Sequence, residues 1–341
     1  MKVAVYHNQK DIRIEEAPVP KIGPDEVLVK MKACGVCGSD LMDWYLEKRA
    51  PLVLGHEPSG VIAEKGENVE DFNVGDRVFV HHHVACLKCH YCMRGDYTLC
   101  EQFHKTNIIP GGFAEYFKVP HANLKIDTLK IPEKISFEEA TLIEPIGCCL
   151  RALKKCGIHE GDTIAVIGAG ATGVIHTALS KIFGARKTIV CDLIDFRLKI
   201  AEKFGADVAV NLLREDLNAI VRKETDGMGV DLAIVTAPNI KAYKAGLEIC
   251  RKGGKLCVFA PTKPGERLEI SPNQFFFNEI QIISSYSTSH VETREALELI
   301  KAGKIKADKL ITHRFALEDA AKAFKTALEN KESLKVIVLG K

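Results

Sequence analysis

Four cysteines stand close together in the stretch "CLKCHYCMRGDYTLC", with the spacing Cys-x2-Cys-x2-Cys-x7-Cys. Charged and polar neighbours surround them, a setting in which cysteine gains little as a hydrophobic residue. Four thiolates within one loop suit a tetrahedral zinc ion with no open coordination position. An iron–sulfur ligand set is the competing metal interpretation, although such a set normally ends in Cys-x3-Cys-Pro or has a distant last ligand. The pattern therefore predicts a structural zinc site, against the alternative of four unligated loop cysteines, at Cys86, Cys89, Cys92 and Cys100.

A second group of possible ligands is spread along the chain. Cys37 lies between small residues in "GVCGSD", His56 and Glu57 are adjacent in "LGHEPSG", and Glu144 stands in "LIEP". Thiolate, imidazole and carboxylate are the ligand types of catalytic zinc, which keeps one further position for substrate. A single cysteine or histidine is, however, more often an ordinary core residue than a ligand. Spacing alone leaves both interpretations open.

A glycine-rich turn follows an apolar run in the second half of the chain. The run "TIAVIG" (163–168) is typical of a buried strand, "GAGATG" (168–173) opens a helical pattern, and "KTIVCD" (187–192) is typical of the next strand. Such glycines let backbone N–H groups and a helix N-terminus approach a pyrophosphate, and an acid at the next strand end binds the adenine ribose. The alternative is that the glycines merely turn a strand into a helix.

The acid at that strand end favours one nicotinamide cofactor. Asp192 would accept hydrogen bonds from the ribose hydroxyls of NAD and would repel the 2′-phosphate of NADP. Arg197 stands five residues further on, and its cation could weaken this preference. The predicted cofactor contacts are Gly168, Gly170, Gly173, Asp192 and Arg197.

Composition narrows the classes of function. The 341 residues carry 47 Lys and Arg against 45 Asp and Glu, a net charge of +2 without long runs of either sign, so nucleic acid is a poor partner. The uncharged stretch 163–180 contains three glycines and a histidine, which favours a strand and a helix over a membrane span. The first residues alternate like a strand and lack an apolar signal core. We therefore expect a cytoplasmic protein with reduced cysteines and without a membrane or nucleic-acid partner.

The elements that must position these residues fall into two patterns. Buried strands alternate with helical segments after residue 160, which predicts a doubly wound parallel sheet. The first 140 residues contain short strands with Gly and Pro between them, which is typical of an antiparallel, barrel-like domain. A chain of this length is expected to form two domains.

The combination of these motifs resembles the zinc-dependent medium-chain alcohol dehydrogenase family. The resemblance rests on "GVCGSD", "GHEPSG", "GDRV", the cysteine stretch, "GGFAEY", "LIEP", "GAGATG" and "HRFALEDAAKAF", which cover essentially the whole chain in the family's order. It is greatest for the sorbitol (polyol) and L-threonine dehydrogenase branches. It implies an α/β protein with a GroES-like catalytic domain (1–147) that contains the structural zinc lobe 86–100, a Rossmann NAD-binding domain (148–286), and a C-terminal segment (287–341) that returns to the catalytic domain.

The resemblance also implies the reaction and the roles of the site residues. Hydride would pass from a secondary alcohol to NAD, beside one of two zinc ions per chain. Cys37 and His56 are the implied fixed ligands of the catalytic zinc. We expect Glu144 as the resting third ligand, with Glu57 close by and able to enter, because neighbouring residues on a strand point to opposite faces. Ser39 would take the substrate proton, and Asp40 would orient His56.

Three features depart from the family pattern or stay open. Met42 stands where related enzymes often carry a histidine that relays the proton to solvent. The triplet His81–His83 is interpreted as solvated imidazoles at a strand end, with His83 as a candidate pocket residue. Lys335 could meet the cofactor's pyrophosphate or could be exposed.

Two other functions compete with an alcohol dehydrogenase. A quinone or enoyl reductase of the same fold would lack the catalytic zinc ligands, so Cys37, His56 and Glu144 argue against it. A zinc-knot module that binds nucleic acid or protein fits poorly with the neutral charge and the cofactor motif. The expected partner is a small-molecule alcohol, and the expected assembly is a homodimer or homotetramer in which "QIISSYS" (281–287) pairs across a two-fold axis.

Overall fold

The computed structural model describes residues 1–341. Its strands are β1 (Lys2–Asn8), β2 (Asp11–Glu16), β3 (Val27–Gly35), β4 (Leu52–Val53), β5 (Glu57–Lys65), β6 (Arg77–Val80), β7 (Tyr116–Val119), β8 (Thr128–Lys130), β9 (Thr163–Ile167), β10 (Lys187–Asp192), β11 (Val208–Asn211), β12 (Val230–Val235), β13 (Cys250–Val258), β14 (Gln281–Ser284), β15 (Ile311–Ala316) and β16 (Lys335–Leu339). Its α-helices are α1 (Asp43–Leu46), α2 (His90–Met93), α3 (Glu101–Lys105), α4 (His121–Asp127), α5 (Phe137–Ala140), α6 (Ile143–Cys156), α7 (Ala171–Ile182), α8 (Asp195–Lys203), α9 (Leu217–Glu224), α10 (Ile240–Ile249), α11 (Pro272–Asn278), α12 (His290–Lys301) and α13 (Ala320–Glu329).

The first unit combines two segments, Met1–Gly147 and Thr288–Lys341. Its main sheet has the strand order β15-β16-β3-β5-β6-β8, with β7 also paired to β3. Strand β3 is nine residues long, so β7 pairs with its beginning and β16 with its end. All these pairs are antiparallel except β15–β16, which the helix α13 connects. The predicted antiparallel character of the first 140 residues is confirmed.

The core of this unit lies along β3 and the strands beside it. Val27, Val29 and Met31 alternate on one face of β3 and are fully buried, as the period of two in a strand requires. Phe113 and Phe324 join the same cluster, with ring centroids 5.4 Å apart. The paired strands β3 and β5 carry the residues of the candidate site at one end.

The second unit is Cys148–Ser287. Its sheet has the order β11-β10-β9-β12-β13-β14, and every pair in it is parallel. Because helices cover such sheets on both faces, the central strand β9 is buried at every residue. The strand order reverses between β9 and β12, which is the position where doubly wound sheets bind nucleotides. The predicted doubly wound parallel sheet is confirmed.

Two further features concern the surface. Strand β14 ends the six-stranded sheet and is largely exposed; it stops at Ser284, earlier than the sequence predicts. None of the helices has the length and apolar character needed to cross a bilayer.

Candidate active site and metal centres

The four clustered cysteines come together in a lobe between β6 and α3. Their ligand atoms all lie within 4.8 Å of one another. The Sγ of Cys92 lies 3.9 Å from that of Cys86 and 3.5 Å from that of Cys89, close to the ~3.8 Å edge of a tetrahedron of sulfurs around zinc. Cys92, Cys100 and Phe103 form the small core of this lobe. The arrangement fits a closed four-thiolate metal site.

The surroundings of these thiols shift their pKa values in different directions. The backbone N–H of Lys88 lowers the pKa of the Cys86 thiol to about 6. Burial raises the pKa of Cys92 to about 12. The backbone N–H of Cys86 also donates to Sγ of Cys100 at 3.3 Å. A cation among the four sulfurs would hold all of them as thiolates, which is the charge state that metal binding requires.

A second set of ligand atoms meets at the end of the β3–β5 pair. Cys37, His56 and Glu57 bring one ligand atom each to within 4.8 Å of the others. Cys37 follows β3 and precedes the 3₁₀ helix Gly38–Leu41, in which Ser39 is half-buried. A thiol, an imidazole and a carboxylate leave a fourth position open, as a catalytic zinc site requires.

The backbone before β5 explains how adjacent residues reach one site. Glu57 is the first residue of β5, whereas His56 precedes the strand. Gly55 has a φ of +97°, in the left-handed region that favours glycine, and bends the chain there. A Cβ on Gly55 would lie 2.7 Å from the backbone nitrogen of Phe113. The alternation rule that favoured Glu144 over Glu57 therefore does not apply at this point.

Asp40 links two members of the trio. One carboxylate oxygen accepts the backbone N–H of Cys37 at 3.0 Å, and the other lies 3.3 Å from Nδ1 of His56. Burial opposes the charged form of His56, but the negative charges of Asp40 and Cys37 outweigh it and raise the pKa of His56 well above its usual value. With Nδ1 engaged by a carboxylate, Nε2 is the nitrogen left for a metal.

Lys335 is a site residue whose place the sequence left open. Its side chain is buried, and Nζ donates to a carboxylate oxygen of Glu57 and to the carbonyl of Val36. The contact crosses β3, which lies between β5 and β16. Gly35 permits the crossing, since a Cβ there would lie 1.9 Å from the Glu57 carboxylate. Lys335 is therefore not exposed, and its charge faces Glu57.

The other oxygen of Glu57 has no partner in the chain. Oε1 is buried and accepts no hydrogen bond. Burial raises the pKa of Glu57, the positive charges of Lys335 and His56 oppose the rise, and the negative charge of Glu144 adds to it. Buried carboxylate oxygens without a donor are costly unless a cation pairs with them. The orphaned Oε1 beside Cys37 and His56 fits a metal ligand.

Glu144 lies outside the trio. It is buried in the first turn of α6, near enough for its charge to act on Glu57. We expected Glu144 as the resting third ligand, but in this structure Glu57 joins Cys37 and His56.

The histidine triplet lies beside the trio, and its exposure differs from the solvated strand end that we expected, because His81 is fully buried and His82 and His83 are partly buried. His81 is completely buried, and its Nδ1 lies 2.9 Å from Oδ2 of Asp127. Nδ1 of His83 lies 2.6 Å from the carbonyl of Thr106. The ring of His82 stands 5.0 Å from that of His56 and 3.9 Å from that of His83, measured between centroids.

The surroundings of His82 and His83 favour the neutral forms of their rings. Burial, with the neighbouring histidines, lowers the pKa of His82 well below its usual value. Burial likewise lowers the pKa of His83 to about 4. The sequence indicated that His82 would differ from its neighbours, because alternation along a strand turns it to the face opposite that of His81 and His83.

The glycine turn of the second unit has the geometry expected of a pyrophosphate loop. Gly168 has a φ of +103°, and a Cβ on Gly173 would lie 1.9 Å from the carbonyl oxygen of Gly168. Gly170, the N-cap of α7, has open space where a Cβ would be. The three glycines thus provide the tight turn, the open approach and the close packing of helix on strand.

Asp192 lies at the end of β10, next to this turn. Its carboxylate accepts the backbone N–H groups of Ala169 at 2.7 Å and of Leu193 at 2.7 Å. Arg197 lies in the first turn of α8, and its Nε is buried without a partner. The acid and the loop therefore form one connected structure.

Comparisons with known proteins agree with this geometry. The family model of the alcohol dehydrogenase GroES-like domain matches residues 23–133, and that of zinc-binding dehydrogenases matches residues 171–302. The chain is 38% identical to sorbitol dehydrogenase of Bacillus subtilis (strain 168), covering 99% of this chain and 97% of that protein. It is 33% identical to L-threonine 3-dehydrogenase of Caldanaerobacter subterraneus subsp. tengcongensis, covering 96% and 95%. The crystal structure of 2R,3R-butanediol dehydrogenase from Bacillus subtilis matches with a TM-score of 0.87 at 30% identity, covering 100% and 99%.

The chain therefore belongs to the zinc-dependent medium-chain alcohol dehydrogenase family. It is an oxidoreductase that acts on an alcohol with a nicotinamide cofactor. The predicted family, fold class and enzyme class are confirmed.

Proposed function

We propose that this enzyme oxidises the secondary alcohol of a polyol, sugar or hydroxy-amino acid to the ketone, with NAD as the hydride acceptor and zinc at both metal sites. The observation that carries the proposal is the trio of Cys37, His56 and Glu57, with ligand atoms within 4.8 Å of one another. A quinone or enoyl reductase has no use for such a set.

The residues of the trio would hold the catalytic zinc. Such an ion supplies Lewis acidity, which lowers the pKa of an alcohol hydroxyl toward neutrality. Cys37 and His56 are the fixed ligands in this proposal. Glu57 is the third, and Glu144 is the carboxylate that can take its place, because both are buried and interact electrostatically. Cys86, Cys89, Cys92 and Cys100 would hold the structural zinc.

Other residues of the unit would position groups and move the proton. Asp40 holds the ring of His56 through Nδ1 and so directs Nε2 at the metal. Ser39, two residues from Cys37 and half-buried, would accept the proton that leaves the substrate hydroxyl while its own hydroxyl proton passes to the cofactor ribose or to water. Lys335 holds one oxygen of Glu57, and its positive charge favours the charged form of the carboxylate against the effect of burial.

The second unit would bind the cofactor. Gly168, Gly170 and Gly173 would bring backbone N–H groups to the pyrophosphate at the start of α7. Asp192 would accept the adenine-ribose hydroxyls and exclude a 2′-phosphate, which favours NAD over NADP. Arg197 would lie near the ribose, where its positive charge would reduce the preference for NAD over NADP that Asp192 provides.

These assignments imply a domain organisation and an assembly. Residues 1–147 and 287–341 would form the catalytic domain, and residues 148–286 the NAD-binding domain. The exposed strand β14 at the edge of the parallel sheet supports a homodimer that pairs this edge across a two-fold axis, or a tetramer built from such dimers. Reduced cysteines in both metal sites agree with a cytoplasmic location.

A substrate panel tests the proposed function. Purified enzyme is supplied with sorbitol, other polyols, inositols, 2,3-butanediol, 2-butanol and L-threonine, each with NAD and with NADP, and absorbance at 340 nm is followed. We expect reduced cofactor from at least one secondary alcohol, faster with NAD than with NADP. No reduced cofactor with any secondary alcohol would contradict the proposal.

A further inference from the structure

The three consecutive histidines differ in what fixes their rings. His81 has Nδ1 against Asp127, whose other oxygen accepts the hydroxyl of Thr293 on α12 at 2.7 Å. His83 has Nδ1 against the carbonyl of Thr106. His82 has no such anchor, because Nδ1 is buried without a partner and the ring makes no hydrogen bond within the chain.

The ring of His82 packs against other histidine rings instead. Its ring contacts three other imidazoles, at centroid distances of 3.9 Å to His83, 5.0 Å to His56 and 5.2 Å to His81. His81 is in turn held by its buried contact with Asp127. His82 is therefore an imidazole packed among other rings, and the chain makes no hydrogen bond to it.

His82 also lies on the accessible side of the trio. Glu57, Asp40 and His81 are buried, whereas Cys37, His56 and His82 each keep part of their surface exposed. A molecule that approaches His56 from this side meets His82 next. Because Nδ1 is buried, Nε2 is the ring nitrogen that such a molecule can reach, and an apolar side chain in this wall would offer it no hydrogen bond.

We propose that His82 is a specificity-determining residue that hydrogen-bonds a second hydroxyl of the substrate, next to the carbinol that is oxidised. This inference rests on the proposed function. The two oxygens of a vicinal diol are about one hydrogen-bond length apart, ~2.8 Å, so a diol with one oxygen beside His56 can reach His82 with the other. The enzyme therefore acts on vicinal diols and polyols in preference to simple secondary alcohols.

Charge separates this substrate class from a hydroxy-amino acid. A carboxylate needs a fixed cation or several hydrogen-bond donors, whereas His82 offers a single ring nitrogen to the substrate. Lys335, the cation that contacts the trio, already pairs with Glu57. His82 thus suits a neutral hydroxyl better than the carboxylate of L-threonine.

The test compares substrates that differ by one hydroxyl. For wild type, His82→Phe, His82→Gln and the exposed-histidine control His121→Phe, kcat and KM are measured with NAD on 2,3-butanediol, 2-butanol and L-threonine, and zinc content is determined for each protein. We expect wild type and His121→Phe to prefer the diol. In His82→Phe the ratio of kcat/KM for diol over 2-butanol should fall about tenfold or more, mainly through a higher KM for the diol. His82→Gln, which keeps donor and acceptor atoms, should recover part of the ratio.

Several results would overturn the inference without touching the proposed function. One is an unchanged ratio of kcat/KM for diol over 2-butanol in His82→Phe. A second is an equal loss of activity on both alcohols together with loss of zinc, which would mean that His82 positions His56. A third is a wild-type enzyme that prefers L-threonine to the diol. If wild type reduced NAD with none of the secondary alcohols in the panel, the proposed function itself would fail instead.

Discussion

Glu57 is the residue on which the chemistry of the trio depends most. One oxygen is held by Lys335, and the other is buried without a partner beside Cys37 and His56. Two carboxylates that are buried close together repel each other when both are charged, and the charge of Lys335 favours the charged form of Glu57. The orphaned oxygen of Glu57, which lies within 4.8 Å of the ligand atoms of Cys37 and His56, is the observation that favours Glu57 as the third ligand.

A pair of isosteric variants tests whether Glu57 or Glu144 is the resting third ligand. Glu57→Gln should lose most of the catalytic zinc, because an amide is a poor ligand, and should lose nearly all turnover. Glu144→Gln should keep more of the zinc, because Cys37, His56 and Glu57 remain. Elemental analysis of both proteins decides; greater zinc loss in Glu144→Gln would make Glu144 the resting ligand and Glu57 its substitute.

The sequence predicted the residue types of this site but not all of their contacts. Cys37, His56 and Glu57 could be named from their motifs. Alternation along a strand argued against joint ligation by His56 and Glu57, and it failed because β5 begins only at Glu57, after the bend at Gly55. The Lys335–Glu57 contact spans 278 positions, and only the strand order brings the two together.

At the scale of elements, the turn between β9 and α7 combines two different demands on glycine. Gly173 is needed for packing, because a Cβ there would lie 1.9 Å from the carbonyl oxygen of Gly168. Gly170 has open space around its Cβ position and is needed only where the pyrophosphate would approach. This turn was predictable, because its glycine spacing and the flanking apolar strands are local features.

Matched glycine variants separate the two demands. Gly173→Ala should lower both the melting temperature and NADH binding, because strand and helix must move apart. Gly170→Ala should weaken NADH binding, whereas its free energy of unfolding should stay within about 0.5 kcal/mol of wild type. Thermal melts and NADH fluorescence titrations measure the two effects. An equal loss of stability in both variants would refute the distinction.

Helix α7 also carries a buried histidine that should make the protein sensitive to acid. His176 is completely buried against Phe259, and neither ring nitrogen has a partner. Burial lowers the pKa of His176 from 6.5 to about 3. Between these values the unfolded chain binds a proton that the folded chain cannot, so the free energy of unfolding decreases as the pH falls, by at most about 4–5 kcal/mol.

The variant His176→Leu should remove this contribution. Its advantage in stability over wild type should grow as the pH falls from about 6.5 to about 4. Urea unfolding at several pH values measures the difference, and His159→Leu, at an exposed position, serves as the control. A stability difference that does not change with pH would contradict the role assigned to His176.

At the scale of the whole molecule, most of the architecture followed from the sequence. The parallel and antiparallel patterns are set by local periodicity, and the metal lobe by the spacing of four cysteines in one loop. The buried state of His81 was not predictable, because it depends on Asp127 and on Thr293, from the segment that returns to the first unit. Contacts between residues far apart in sequence leave no local pattern.

The central claim is that one metal site performs the oxidation and the other supports the fold. Zinc content, determined together with NADH formation on the best alcohol of the panel, tests it in Cys37→Ser and Cys89→Ser. Wild type should hold two zinc ions per chain, one for each cluster. Cys37→Ser should hold about one and form no NADH while its melting temperature changes little. Cys89→Ser should also lose one zinc ion but should melt at a lower temperature, because a four-thiolate site contributes folding energy. A Cys37→Ser enzyme that keeps both zinc ions and forms NADH at the wild-type rate would contradict the account.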